Sequence, residues 1–279
     1  MANGYTEIVE TAREYYNSED ADNFYFHIWG GNDIHIGLYK DDPEPIADAS
    51  RRTVEQMATL LPDLDKNSHI LDIGSGYGGA ARYLADQYGC HITALNLSEA
   101  ENDRARTMNK EAKLDHLIDV VDGSFEDIPC DDNSCDVVWS QDAILHSGQK
   151  QKVVHEVARA LKPGGSFIFT DPMQTDDCPK GVLQPVLDRI HLESLGSPGF
   201  YTQACKENGL KLIQFIDHTE QLGRHYQRVH DVLMENKDEL KGKVSGEYID
   251  RMLKGLQHWV EACRKGYLSW GILQFKKVQ

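Results

Sequence analysis

A glycine-rich segment contains the first residues whose spacing could do chemistry. Residues 71–79 read Leu-Asp-Ile-Gly-Ser-Gly-Tyr-Gly-Gly after a short apolar run. Gly74, Gly76 and Gly79 match the G-x-G-x-x-G spacing, in which a missing Cβ lets the backbone approach a ligand at the start of a helix. A dinucleotide site would need an acid about twenty residues further on, at the end of the second strand. Asn96 stands there instead, which disfavours a dinucleotide.

The aspartate before the first glycine, Asp72, makes this loop resemble that of S-adenosylmethionine-dependent methyltransferases, where it faces the methionine part of the cofactor. The resemblance implies a group at Asn96 that binds the ribose hydroxyls, although the family usually has Asp or Glu there. An amide can still donate and accept hydrogen bonds.

The same resemblance places adenine recognition in Asp122-Gly123-Ser124-Phe125, after the third strand. Asp122 would accept from the adenine amino group, while Leu97 and Phe125 would enclose the ring. A turn common to these enzymes, Leu161-Lys162-Pro163-Gly164-Gly165, precedes the fifth strand. Taken singly, Asp72 or Asp122 could cap a helix or a turn and Phe125 could belong to the core. All four stretches in order over about one hundred residues favour a cofactor site.

Polar residues that follow the fourth and fifth strands should border the reactive methyl, because open α/β sheets bind ligands at the carboxyl ends of their strands. Gln141 and Asp142 could contact the cofactor. His146 is the candidate catalytic residue, able to orient or deprotonate an amine; a hydrogen-bonded structural histidine is the alternative. The predicted cofactor-binding residues are Asp72, Gly74, Gly76, Asn96, Leu97, Asp122, Gly123, Ser124, Phe125, Gln141 and Asp142.

Aromatic residues are concentrated in the segments predicted to cover this edge, and a ring of such faces would attract a quaternary ammonium by about 0.5–2 kcal/mol per contact. They are Tyr25, Trp29, Tyr39, Tyr201, Tyr226, Trp259 and Trp270. Core packing is the alternative role for most of them. Arg189, Arg224 or Arg228 could fork onto a carboxylate, whereas an ion pair with Asp188 or Glu193 is the alternative for Arg189. The predicted substrate-binding residues are Tyr25, Trp29, Met173, Arg189, Tyr201 and Trp259.

A parallel sheet would bring these residues together. Short apolar runs alternate with helical patterns from residue 68 to about 170, which is typical of βαβ units. The predicted strands are residues 68–73, 90–96, 117–122, 135–140, 166–170, 210–219 and 267–276. The predicted helices lie near residues 80–87, 98–111, 151–161, 182–195 and 199–207, with about forty more helical residues running to 264. Residues 1–60 read as helices around a turn at Gly30-Gly31.

The predicted fold is α/β, a Rossmann-like class I methyltransferase. It has a seven-stranded, mostly parallel sheet with helices on both faces and an antiparallel final strand. Residues 1–60 form an N-terminal helical cap segment. Residues 61–279 form the main domain, with helical cap insertions at about 172–208 and 220–265.

Composition narrows the range of partners. The chain has 45 acids against 29 bases and a net charge of −16, which repels phosphate backbones and argues against nucleic acid. No apolar run is long enough to cross a bilayer and no signal peptide precedes the fold, so we expect a cytoplasmic protein without a membrane partner. The six cysteines lack zinc-type spacing, so neither a metal nor a disulfide framework is expected. The excess acid fits either an ordinary acidic enzyme or a salty cytosol.

Segments outside the cofactor motifs resemble the sarcosine/dimethylglycine N-methyltransferases that make glycine betaine. They are residues 15–25, 29–39, 171–174, 183–192 and 255–260, and the match runs from about residue 12 to the end. The resemblance implies S-adenosylmethionine as cofactor, a small amino-acid substrate, and methylation of sarcosine, dimethylglycine or both. A related methyltransferase acting on phosphoethanolamine or a sterol carbon, and a cofactor-binding protein without turnover, are the alternatives. Preference among glycine, sarcosine and dimethylglycine stays open, as does the choice between monomer and homodimer.

Overall fold

The part of the chain that the structure describes contains nine strands. They are β1 (His69–Ile73), β2 (His91–Asn96), β3 (Ile118–Asp122), β4 (Cys135–Gln141), β5 (Leu161–Thr170), β6 (Met173–Gln174), β7 (Leu210–Asp217), β8 (Leu268–Ser269) and β9 (Gly271–Lys277). The computed structural model describes residues 5–190 and 192–278, apart from the side chain of Arg189.

Seven of these strands form one sheet in the order β3-β2-β1-β4-β5-β9-β7. Neighbours among β1 to β5 pair in parallel. β9 pairs antiparallel with β5 on one side and with β7 on the other, so β7 runs parallel to the first five strands. The predicted mostly parallel, seven-stranded sheet with an antiparallel final strand is therefore confirmed.

Among the described residues, ten α-helices and one 3₁₀ turn surround the sheet. The helices are α1 (Glu7–Tyr16), α2 (Glu19–Ile28), α3 (Ile46–Thr59), α4 (Gly79–Tyr88), α5 (Glu99–Glu111), α6 (Lys150–Ala160), α7 (Gln184–Ile190), α8 (Pro198–Glu207), α9 (Thr219–Glu235) and α10 (Gly246–Arg264), and the 3₁₀ turn is Ile144–His146. Apolar residues of α6 and α8 cover one face of the sheet and those of α3 and α4 cover the other. This confirms the prediction of helices on both faces.

A third apolar cluster joins α1, α2, α7, α9 and α10 beyond the sheet. In α10 the buried residues Ile249, Met252, Leu256 and Trp259 recur at helical spacing, so one stripe of the helix faces this cluster. The cluster draws on both the N-terminal helices and the long connection between β7 and β9. The division into a cap segment and a main domain stays a prediction.

Some predicted boundaries are wrong. β5 starts at Leu161 rather than at residue 166, because Leu161 already pairs with Cys135 across an irregularity in the ladder. The forty-residue helix is two helices, α9 and α10. The final strand is interrupted at Trp270, whose backbone bonds His218 and Thr219 instead of a strand partner.

Two further features concern helix length and the cysteines. Within the described part of the chain, no helix is both long enough and apolar enough to cross a membrane. All six cysteines are free thiols.

Candidate active site

Two connected cavities lie at the carboxyl edge of the sheet. The first, here called the glycine-loop cleft, has about 700 Å³ of empty volume, including space open to solvent. Eight of the predicted cofactor-binding residues line it: Gly74, Gly76, Asn96, Leu97, Ser124, Phe125, Gln141 and Asp142. Asp72 lines a polar recess that shares Gly74 and Gln141 with the cleft. Most of the predicted set therefore lies around one cavity.

Two glycines keep the loop after β1 tight. Gly74 has a φ of +76°, a left-handed conformation that side chains with a Cβ rarely adopt, and a Cβ there would collide with Ala143. A Cβ on Gly79 would collide with the carboxylate of Asp33 and the carbonyl of Asn32. The segment between α2 and α3 therefore lies directly on the glycine loop.

Asp122 and Gly123 are not among the residues that line the cleft, and their contacts with adenine stay predictions. The Asp122 carboxylate accepts from Asn102 Nδ2 at 2.8 Å and from Arg106 Nη2 at 2.7 Å. Both partners lie on α5, so this helix holds the carboxylate in place. Gly123 extends the β2–β3 pairing by donating from its backbone nitrogen to the Asn96 carbonyl at 3.0 Å.

Sequence reasoning missed Glu101, a buried acid that lines the cleft. Its Oε2 accepts from Asn96 Nδ2 at 2.9 Å, and burial raises its pKa to about 7. Asn96 occupies the position where an acid was expected, and Glu101 places a carboxylate beside it. The signal was the Ser98-x-x-Glu101 pattern at the start of α5, in which Ser98 Oγ accepts from Glu101 N at 3.2 Å.

The polar recess brings together buried side-chain atoms that lack a hydrogen-bond partner among the described residues. The atoms are Asp33 Oδ1, His35 Nε2, Asp72 Oδ2, Ser75 Oγ and Gln141 Nε2. Leaving such groups unsatisfied costs about 1–3 kcal/mol each. Two are carboxylate acceptors, and Ser75 and Gln141 can donate. This combination is complementary to the ammonium and carboxylate of an α-amino acid.

The Asp33 carboxylate raises the energy of the charged form of Asp72. Burial, and after it the nearby carboxylate of Asp33, raises the pKa of Asp72 to about 7. Asp33 forms an ion pair with Arg51, whose Nη2 lies 2.8 Å from Oδ2, and its Oδ1 lies 3.9 Å from His35 Nε2. A cation placed between the two carboxylates would offset this repulsion.

The second cavity, here called the aromatic chamber, is enclosed by rings from three parts of the chain. Tyr16 and Tyr25 face each other at 5.7 Å and Tyr25 and Trp29 at 5.2 Å, measured between ring centroids. Tyr226 of α9 stacks on Trp259 of α10 at 4.8 Å. All five rings line the chamber. The structure thus brings together the predicted residues Tyr25, Trp29 and Trp259, and adds Tyr16, which sequence reasoning missed.

Three other predicted substrate-binding residues have different outcomes. Met173 is fully buried in β6, which pairs with β8, and it packs in the apolar cluster on the sheet. Tyr201 is also fully buried, and its hydroxyl donates to Asp171 Oδ2 at 2.6 Å. Both were expected to contact substrate, but each turns towards the sheet rather than the cavity. The side chain of Arg189 lies outside the described residues.

The other candidate arginines contact the outer side of the N-terminal segment. Arg224 Nε donates to Asp42 Oδ1 at 2.6 Å and Arg228 Nε to the Glu44 carbonyl at 3.3 Å. The chamber is instead bordered by Arg251, which is exposed and lies with its guanidinium 5.2 Å from the ring centroid of Tyr248. Nothing in its sequence context distinguished it from a solvated residue of α10.

His146, Tyr16 and Asp142 stand where the two cavities meet, since all three line both. His146 Nε2 lies 2.9 Å from the Tyr16 hydroxyl. Asp142 has a φ of +52°, and its carboxylate accepts from Ile36 N at 2.7 Å and from Trp270 Nε1 at 2.8 Å. Burial raises the pKa of Asp142. A strained backbone held by two donors is typical of a functional position.

The arrangement suits transfer of a group from a nucleoside-like ligand to a small cationic or amine-bearing one. The glycine-loop cleft offers the polar edge of Asn96 and Glu101 and the apolar side chains of Leu97 and Phe125. The chamber offers aromatic faces. A titratable imidazole stands between the two, where a proton could be taken up.

Comparison with known proteins identifies related chains. Residues 71–169 match the family described as "Methyltransferase domain". A sarcosine/dimethylglycine N-methyltransferase of Halorhodospira halochloris is 62% identical over 269 residues, 96% of each chain. One from Aphanothece halophytica is 51% identical over 97% of this chain and 98% of its own. A solved structure from Galdieria sulphuraria, provisionally assigned as a sarcosine dimethylglycine methyltransferase, superposes with a TM-score of 0.90 at 45% identity, covering 95% of this chain and 99% of that one.

Proposed function

We infer the activity of this chain from its family, since it belongs to the sarcosine/dimethylglycine N-methyltransferases. It transfers the methyl group of S-adenosylmethionine to the nitrogen of sarcosine, dimethylglycine or both, and complete methylation gives glycine betaine. One observation links this activity to particular residues: the glycine-loop cleft and the aromatic chamber meet at His146.

The cleft and recess fit S-adenosylmethionine. The unpartnered carboxylate oxygens of Asp33 and Asp72 suit the methionine ammonium, and Ser75 and Gln141 can donate to its carboxylate. Asn96 and Glu101 would hold the ribose hydroxyls. Leu97 and Phe125 would enclose the adenine. When bound, the sulfonium supplies an activated methyl group, so no metal is needed for the transfer.

The protein's main task is alignment, because transfer is an in-line displacement that requires nitrogen, methyl and sulfur to be collinear. The amine must also be neutral to attack. We propose that His146 accepts the amine proton, with the Tyr16 hydroxyl 2.9 Å away fixing its ring. The aromatic faces of Tyr25, Trp29 and Tyr226 would shelter the positive charge that builds up on the nitrogen.

The substrate carboxylate needs donors in the same chamber. Arg189 remains our proposal for one of them, because it belongs to α7, whose last residue, Ile190, lines the chamber. A carboxylate held by a guanidinium fork would fix the direction in which the nitrogen points.

Two properties support a cytosolic enzyme with small-molecule partners. Six free thiols are typical of a reducing compartment. A net charge of −16 disfavours binding to nucleic acid.

The test is transfer from labelled S-adenosylmethionine, with glycine, sarcosine, dimethylglycine and phosphoethanolamine in parallel. We expect turnover with sarcosine or dimethylglycine and none with phosphoethanolamine. The expectation follows from charge: among the described side chains that line the chamber, Arg251 carries the one permanent positive charge, whereas a phosphate calls for several. Cofactor binding without turnover on any of the four would refute the catalytic assignment.

A further inference from the structure

One tryptophan of the aromatic chamber has an unused hydrogen-bond donor. The chain has four tryptophans. Trp29 Nε1 donates to the His35 carbonyl at 3.3 Å, Trp139 Nε1 to Gln141 Oε1 at 2.9 Å, and Trp270 Nε1 to Asp142 Oδ1 at 2.8 Å. Trp259 is 1% exposed, yet its Nε1 has no acceptor among the residues that the structure describes. Since an indole nitrogen can only donate, this site calls for an acceptor.

The ring of Trp259 is held in a fixed orientation. It stacks on Tyr226 with the ring planes 24° apart, and it belongs to the buried stripe of α10. Met252, two turns earlier on the same stripe, also lines the chamber. The donor is therefore presented by a rigid helix rather than by a loop.

Charges in the chamber are distributed so that an anion and an amine would bind at different places. Arg251 of α10 contributes the permanent positive charge noted above. Asp142 is the acid among the described side chains that line the chamber, and it lies at the junction with the glycine-loop cleft. The nitrogen of a zwitterionic substrate is attracted to the junction, where transfer takes place, and its carboxylate to α10.

Building on the proposed function, we propose that the indole N–H of Trp259 donates to the substrate carboxylate and makes the chamber selective for amino acids over amino alcohols. A charge-assisted hydrogen bond made by a buried donor is strong. A ligand without the carboxylate would leave that donor unpaired, and sites built in this way reject such analogues. Trp259 thus acts as a specificity-determining contact in addition to forming part of the aromatic wall.

The experiment compares Trp259→Phe with wild type, because phenylalanine keeps an aromatic face but removes the N–H. The readouts are the KM for dimethylglycine and the inhibition constants of betaine and choline, two quaternary ammonium compounds of which only betaine has a carboxylate. We expect about a tenfold or larger increase in KM and in the betaine constant, as for a lost hydrogen bond to a charged group. The choline constant should change by less than about threefold, because cation–π attraction is retained.

Trp29→Phe is the matched control, since it makes the same change in the same chamber where the N–H is already bonded to a backbone carbonyl. It should alter the betaine and choline constants by similar factors. If Trp259→Phe also raises both constants equally, or leaves the KM unchanged, the donor role is wrong. A wild-type enzyme inactive on sarcosine and dimethylglycine would instead refute the proposed function.

A measurement on the unmutated enzyme covers the case in which Trp259→Phe fails to fold. With ¹⁵N-labelled tryptophan and S-adenosylhomocysteine present, betaine should move one indole N–H proton signal strongly downfield, whereas choline should not. Equal shifts with both ligands would overturn the proposal.

Discussion

Cofactor affinity should increase with pH because of the buried acid Asp72. Its pKa is raised to about 7 by burial and by Asp33, whereas the methionine ammonium would bind best to the ionised carboxylate. Only the ionised fraction is competent to bind, and it grows from about one tenth at pH 6 to about three quarters at pH 7.5. The affinity for S-adenosylhomocysteine should therefore rise roughly eightfold over this interval, with release of about 0.9 proton at pH 6 and about a quarter of a proton at pH 7.5. Affinity increases with pH because the ligand binds the ionised form of Asp72. The change falls near neutral pH because the pKa of Asp72 in the folded protein is about 7, above the ordinary value of about 3.9.

Calorimetric titration in two buffers of different ionisation enthalpy would measure both the affinity and the proton release. Methylthioadenosine is the matched ligand, because it keeps the nucleoside and the thioether but lacks the amino-acid end. Any pH dependence that it shows reports Glu101, whose pKa is also about 7. The difference between the two ligands isolates Asp72.

Asp72→Asn should bind S-adenosylhomocysteine more weakly at pH 7.5 and should remove the difference in slope between the two ligands. Two results would refute the reasoning. One is equal pH dependence for both ligands in the wild-type protein. The other is a variant that retains the full wild-type slope.

Three further changes test other contacts. Tyr16→Phe should lower the rate of methyl transfer about five- to tenfold by removing the hydrogen bond to His146. In single-turnover assays, the double variant Tyr16→Phe/His146→Asn should be only slightly slower than His146→Asn alone. Additive losses of rate would show that the two residues act separately. Gly79→Ala should weaken S-adenosylhomocysteine binding about tenfold or more, because the new Cβ displaces the segment after α2. The variant should still fold and show a cooperative thermal unfolding transition. Unchanged affinity would contradict that contact. Tyr201→Phe removes one of two donors to the buried carboxylate of Asp171. It should lower the free energy of unfolding by about 1–3 kcal/mol at pH 8. The decrease should be smaller at pH 6, because Asp171 has a pKa of about 7 and its protonated form needs the donor less. Urea titration at the two pH values checks it, and equal losses would argue against an ionised partner.

The cofactor side of the site was predictable because its determinants are local. A glycine pattern after an apolar strand fixes where the backbone turns, and polar residues at neighbouring strand ends then lie along one edge. Glu101 was missed although its signal was present, since the capping pattern explained the residue without a second role. Asp122 ends its strand as expected, but its carboxylate forms an ion pair with Arg106 of α5.

The substrate side was less predictable because it depends on how helices pack. Tyr16 and Arg251 are more than two hundred residues apart and meet at one chamber only through the arrangement of α1 and α10. Residue type gave no way to distinguish Trp259, which borders the cavity, from Tyr201, which supports the sheet side. Whether each residue faces the cavity or the sheet depends on the direction of its side chain, and periodicity alone does not give that direction.

The position of β9 in the sheet has a consequence for how the molecule matures. This late strand lies between β5 and β7, and Trp270 just before it supplies a donor to the strained Asp142. During synthesis, β5 and β7 therefore emerge with a vacant place between them that stays open until residue 277 has been made. A nascent chain could already hold its glycine loop in shape, but its catalytic junction would be assembled last. Partly made chains would expose two unpaired strand edges, and these are the species that we expect chaperones to bind.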